Sequence, residues 1–129
     1  MTKNELKQYM WIQQNIKYLK DKLLEFETTA TNTNTRLDDM PKGSPSKDKL
    51  ERIVCKIIEV QEEINKEVIR GYNKIKEIED SISSLEEREK QIVRLRYFEG
   101  LKWEKICVEM NYSWRQIHYI HNDILNKLR

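Results

Sequence analysis

The chain has 129 residues, enough for one domain or two small units, and a formal net charge of +2 from 24 basic and 22 acidic side chains. Charged residues make up 36% of it and hydrophobic ones 38%, with three Gly and two Pro. So many charges with so few chain-breakers predict long solvated helices, which offer little depth for a catalytic pocket. The reading is therefore not an enzyme. The near-neutral balance also excludes a purely electrostatic nucleic-acid binder. Two cysteines, Cys55 and Cys107, set no disulfide framework or zinc spacing and are expected as small buried hydrophobes. No run of 18 apolar residues predicts a membrane span, and the N-terminus has no apolar leader core, so a soluble cytoplasmic protein is expected.

The first helix is expected over about residues 3–28. It opens on a Thr2–Glu5 capping box. Its seam runs Tyr9, Ile12, Ile16, Leu19, Leu23 and Phe26, the alternation of three and four that marks a coiled coil. Trp11 and Tyr18 share a face off this seam, suited either to edge packing in a bundle or to anchoring a partner. Residues 29–46 hold both prolines and many Thr, Asn and Asp, so they read as a linker.

A second helix is expected over about residues 47–83, about 55 Å long. Its seam runs from Leu50 through Val54, Ile57, Gln61, Ile64, Val68 and Gly71 to Ile75, Ile78 and Ile82. Ile53, Ile58 and Val60 widen that stripe and hint at more than one neighbouring helix. Folding the hairpin at the linker puts residue 6 opposite residue 70. That leaves Ile75, Ile78 and Ile82 as a seam awaiting the C-terminal unit, a second copy or another protein.

From residue 84 the chain changes character. Ser84 and Glu87 predict a capped helix that Gly100 ends. A short helix from Leu101 to Met110, a turn at Asn111–Tyr112, and a last helix capped by Ser113 complete a helix-turn-helix. Cys107 supplies a small residue at the crossing, and Asn111 tolerates the positive φ that such a turn needs. Ile106, Met110, Ile117 and Ile120 are spaced as its core, with His121 at the edge. The outward face is expected to carry Ser113, Trp114, Arg115, Gln116, His118, Tyr119 and Asn122 into a DNA groove, with Lys102 a candidate phosphate contact. His118 and His121 lack metal-ligand spacing, so neither a metal nor a cofactor is expected. The fold class is all-α: an N-terminal antiparallel coiled-coil hairpin (1–83), for oligomerisation or docking, followed by a three-helix DNA-binding unit (84–129).

Residues 84–129 resemble region 4 of the sigma-70 family, which reads the promoter −35 element. The shared marks are Arg88-Glu89, Leu95 to Tyr97, Glu104 with Ile106, and Leu125 to Arg129. Over its whole length the chain is similar to phage RinA/ArpU-type transcription activators and a related uncharacterised phage family. The marks there are Asp39 to Gly43, Trp103 to Ile106 and Tyr112 to Gln116. The resemblance implies a regulator of phage or prophage genes that binds double-stranded DNA in a bacterial host and contacts the host RNA polymerase. Where sigma region 4 typically shows Arg-Glu-Arg and then Arg-Gln, this chain has Trp114, Arg115, Gln116, His118 and Tyr119, so the −35 preference does not carry over.

Residues 1–83 hold 15 basic and 15 acidic side chains, and residues 84–129 hold nine and seven. One copy of so mildly basic a reader touches few phosphates, so a homo-oligomer, with a dimer favoured, is expected. The alternative is a small terminase-like protein that assembles a ring and recognises a packaging site.

Overall fold

The computed structural model describes the backbone of residues 1–38 and 46–129 and the side chains of 1–32 and 48–129. Its elements are α1 (Lys3–Asp38), α2 (Ser46–Ser81), α3 (Glu87–Val93) running into a π-helical turn (Arg94–Phe98), α4 (Trp103–Met110) and α5 (Trp114–Lys127). No strand occurs among the described residues, so the all-α expectation holds. None of these helices is long and apolar enough to cross a membrane.

α1 starts as its sequence predicts, with the Glu5 N–H donating to Thr2 Oγ1 at 3.3 Å. It does not stop at residue 28. The hydroxyls of Thr28, Thr29 and Thr31 donate to the carbonyls of Leu24, Glu25 and Glu27 at 2.8–2.9 Å. Side chains expected to divert the backbone instead bond back to the preceding turn, and the helix continues to Asp38. The first ten residues of the expected linker are therefore helical. Residues 39–45, with the Asp39–Gly43 mark, lie outside the described residues.

Packing divides the chain into two units that do not follow the expected boundary at residue 83. One is Gln14–Ile69; the other combines Met1–Gln13 with Arg70–Arg129.

In the Gln14–Ile69 unit, Ile16 and Leu19 of α1 and Ile53 and Val60 of α2 are buried, with Leu23, Phe26, Ile57 and Ile64 half-buried beside them. The ammonium groups of Lys22 and Lys56 lie 5.9 and 5.8 Å from the centre of the Phe26 ring. The α1 seam is the expected one. The α2 seam is rotated: Val54 and Val68 are 43% and 48% exposed and Gln61 faces solvent. The rotation brings Val60 inward and spares the Gln61 amide from burial, which costs free energy without a hydrogen-bond partner.

The second unit surrounds one core that unites Leu6, Ile78, Ile82 and Leu85 with Ile92, Val93, Tyr97, Ile106, Ile117, Ile124 and Leu128. Ile78 and Ile82 are fully buried and Ile75 is half-buried, so of the three neighbours left open for this seam the C-terminal unit takes it. The register differs from the expected one. Because α1 is longer than expected, Ile12 rather than residue 6 sits beside this stretch of α2. A Cβ on Gly71 would stand 3.2 Å from Ile12 Cγ2. Leu6 is thereby free to share the core of Ile78 and Ile82.

α3 begins at a box formed by Glu86 and Glu89, not by Ser84 and Glu87. The Glu89 carboxylate accepts from the Glu86 N–H at 3.1 Å. In the π-helical turn the Glu99 N–H donates to the Arg94 carbonyl, five residues back, at 3.0 Å. Arg94 also grips Glu79 of α2 through two hydrogen bonds of 2.9 and 2.8 Å, which hold the Glu79 carboxyl below its usual pKa. Gly100 ends the turn at φ +69°, as a terminator should.

Candidate nucleic-acid interface

α4 and α5 form the helix-turn-helix. Asn111 follows α4 at φ 56°, ψ 42°, and the Tyr112 N–H donates to the Cys107 carbonyl at 3.0 Å. This left-handed residue is what the sequence calls for at the turn. Ser113 then caps α5: its Oγ accepts from the Gln116 N–H at 3.2 Å, while Gln116 Oε1 accepts from the Ser113 N–H at 3.0 Å. Ile106 and Ile117 are fully buried between the helices, with Met110, Ile120 and the free Cys107 partly so. Cys55, by contrast, is exposed on α2, not buried as expected.

At about 100° per residue, the buried Ile117, His121 and Ile124 define the inward side of α5. Arg115, Tyr119 and Asn122 stand diametrically opposite, all exposed, with Tyr119 76% so. These three form the centre of the outward face. The other expected face residues fall on its flanks. Ser113 and Gln116 are exposed on one side, with their side chains engaged in the cap. Trp114 and His118 lie on the other.

His118 is not a free groove residue. Its ring lies 4.4 Å from that of Trp114 and 5.2 Å from that of Trp103, and its Nε2 is buried. Arg96 stacks on Trp103 at 4.8 Å and donates to the Leu101 carbonyl at 2.9 Å. This ladder of rings holds the half-exposed Trp114 indole at the start of α5.

His121 is buried, its Nε2 2.6 Å from the Tyr97 hydroxyl. Burial pushes Tyr97 up to about 12, and burial followed by the positive field of Lys3 pushes His121 down to about 4. At neutral pH the phenol and the imidazole are therefore both uncharged, and one hydrogen bond joins them.

Two residues matter that spacing alone does not single out. Glu89 is 1% exposed, and beyond its cap it accepts from Lys127 Nζ at 3.1 and 3.0 Å, tying the start of α3 to the end of α5. Arg88 lies with Tyr112, Arg115, Gln116 and Tyr119 along a shallow cleft of about 440 Å³. The Tyr112 hydroxyl beside it and then Glu86, at 3.2 Å, raise its pKa. Its position as the basic half of the Arg88-Glu89 pair is the signal that marks it. Lys102 is exposed at the N-cap of α4. Among the described residues no three His, Cys, Asp or Glu side chains are arranged to hold a metal ion.

The geometry separates the marks of the sigma-like segment by role. Glu89, Tyr97, Ile106, Lys127 and Leu128 all serve the core or its ties, whereas the outward positions of α5 carry this chain's own residues. No curated protein and no solved structure matches the chain. Residues 81–129 match the family model described as Sigma-70, region 4, and this part of the chain is a sigma-70 region 4-like helix-turn-helix of the DNA-binding kind.

Proposed function

We propose that the protein is a sequence-specific DNA-binding regulator of phage or prophage transcription, working as a homodimer and in contact with the host RNA polymerase. The observation that carries this reading is the outward face of α5, where Arg115, Tyr119 and Asn122 project from a helix packed against α3 and α4. Arg115 is suited to a guanine edge, and Asn122 to an adenine edge. Gln116 has its Oε1 taken by the Ser113 N–H, so only its Nε2 donor remains for a purine acceptor. Arg88 and Lys102 flank this face as phosphate contacts. The phage assignment is supported by the Trp103–Ile106 and Tyr112–Gln116 marks, and the dimer by the small basic excess of the reader.

Recovery and sequencing of genomic DNA bound at low salt tests the reading: a recurrent site is expected, and uniform or absent recovery overturns it. On that site Arg115→Ala costs about 1–3 kcal/mol and relaxes preference at one base pair. Arg88→Ala weakens all sequences alike and lowers the salt slope by about one. If Arg115→Ala keeps full specificity, α5 is not the reading helix. A ring of many copies in place of a dimer by light scattering supports the terminase-like alternative.

A further inference from the structure

A stack of side chains runs from the π-helical turn to the start of α5. At its base the Arg96 guanidinium lies 4.8 Å from the Trp103 ring, and its Nη1 donates to the Leu101 carbonyl at 2.9 Å, which ties the stack to backbone. Trp103 meets the His118 ring at 5.2 Å. His118 in turn meets the Trp114 ring at 4.4 Å, with the two planes 61° apart. His118 Nε2 is buried and has no hydrogen-bond partner among the described residues, so the imidazole acts by packing, as a spacer between two indoles. Trp114 ends the stack with its indole 53% exposed.

The stack stands between two groups assigned above to DNA. Trp103 follows Lys102, the phosphate contact at the N-cap of α4, and Trp114 precedes Arg115 as the first residue of α5. The first residues of a reading helix are the ones that reach base edges. A flat ring already braced there loses little conformational freedom on binding. In the major groove guanine, adenine and cytosine show hydrogen-bonding groups, which an apolar ring face covers without pairing. Thymine alone adds a methyl group to its edge.

We propose that Trp114 reads a thymine through its C5-methyl group, with His118 and Trp103 as the positioning residues that brace the indole. This rests on the DNA-binding reading of the preceding section and adds to it a base recognised by apolar contact.

The probe is the duplex recovered from genomic DNA, with each thymine in turn replaced by deoxyuridine. That change removes the methyl group and keeps every hydrogen-bonding group of the base. One such replacement is expected to weaken wild-type binding about fourfold, the size of one buried methyl group. Trp114→Ala is expected to bind the thymine and deoxyuridine duplexes equally at that position. His118→Ala is expected to narrow the thymine-to-deoxyuridine ratio with helix content unchanged by circular dichroism, whereas a merely structural loss weakens both duplexes alike. A His118→Ala ratio equal to wild type overturns the bracing. A wild type indifferent to every replacement, as when the indole N–H donates to a purine or a phosphate instead, overturns the methyl contact and leaves the DNA-binding reading standing. Full sensitivity retained in Trp114→Ala does the same. If no recurrent duplex is recovered, both fall together.

Discussion

The two units are built from similar helix-forming residues but hold together differently. In the Gln14–Ile69 unit four apolar side chains are buried, at 5–8% exposure, and the rest of the seam is half-covered. Its cohesion is the sum of many modest contacts along a line, and no single side chain dominates it. The unit around the helix-turn-helix has a closed core in which eight Ile, Leu or Val side chains reach 0% exposure, and polar ties cross it. Glu89 reaches Lys127 across 38 positions of sequence, and Tyr97 reaches His121 across 24. A line of contacts tolerates local loss, whereas a closed core with buried polar ties concentrates the damage. A reader that must hold one helix at a fixed angle needs the second kind.

The sharpest way to break this contrast is Glu89→Ala. It removes the acceptor for the Glu86 N–H and the buried partner of Lys127, and is expected to cost about 2–3 kcal/mol in urea unfolding. A half-buried hairpin residue such as Phe26, cut to Ala, is expected to cost less. Equal losses would erase the distinction between the units.

Acid is the next lever, and it acts on the reader. The His121 pKa is lowered from its ordinary 6.5 to about 4, so the unfolded chain takes up a proton there before the folded one does. Its contribution to stability is complete above about pH 6.5 and is lost as pH falls through about 4. Thermal melting from pH 7 to 4 is expected to show a falling midpoint, flattened in His121→Phe. A His121→Phe profile as steep as wild type would place the acid sensitivity elsewhere.

The smallest effect belongs to the turn. Asn111→Ala puts a Cβ without a local hydrogen-bonding side chain at φ 56° and is expected to cost about 1 kcal/mol, whereas Asn111→Gly costs nothing measurable. A harmless Ala here would mean that the turn adapts rather than dictates.

What was legible from sequence was local. Asn111, Ser113 and Gly100 act through their own backbone or the next turn, and each stands where its chemistry predicts. The α1 seam was legible too, because Ile12, Ile16 and Leu19 repeat without ambiguity. The end of α1 was not, since a Thr hydroxyl serves a loop or a helix equally well until its acceptor is known. That one boundary moved the hairpin register and brought Leu6 into the core of Ile78 and Ile82. On α2, choosing between Val54–Gln61 and Ile53–Val60 requires the opposing helix. At the candidate interface, Arg115, Tyr119 and Asn122 follow from periodicity. The engagement of His118 by two indoles, and of Gln116 by its own cap, depends on neighbours that spacing cannot supply.

The π-helical turn at Arg94–Phe98 has a consequence for chain length. Four residues of ordinary α-helix overshoot a full revolution by about 40°, so Glu89, Val93 and Tyr97 would drift progressively round the axis. The wider turn cancels part of that drift, keeping Tyr97 over the core and leaving Arg96 for the Trp103 ring. The segment thus behaves as a vernier, setting the phase of one helix against the next through a count of residues. Identity can vary at the exposed residue that follows it, Glu99, but the number of residues from Arg94 to Tyr97 cannot. Losing one residue there would turn the phenol away from the imidazole, while every hydrogen bond along the shortened helix could still be made.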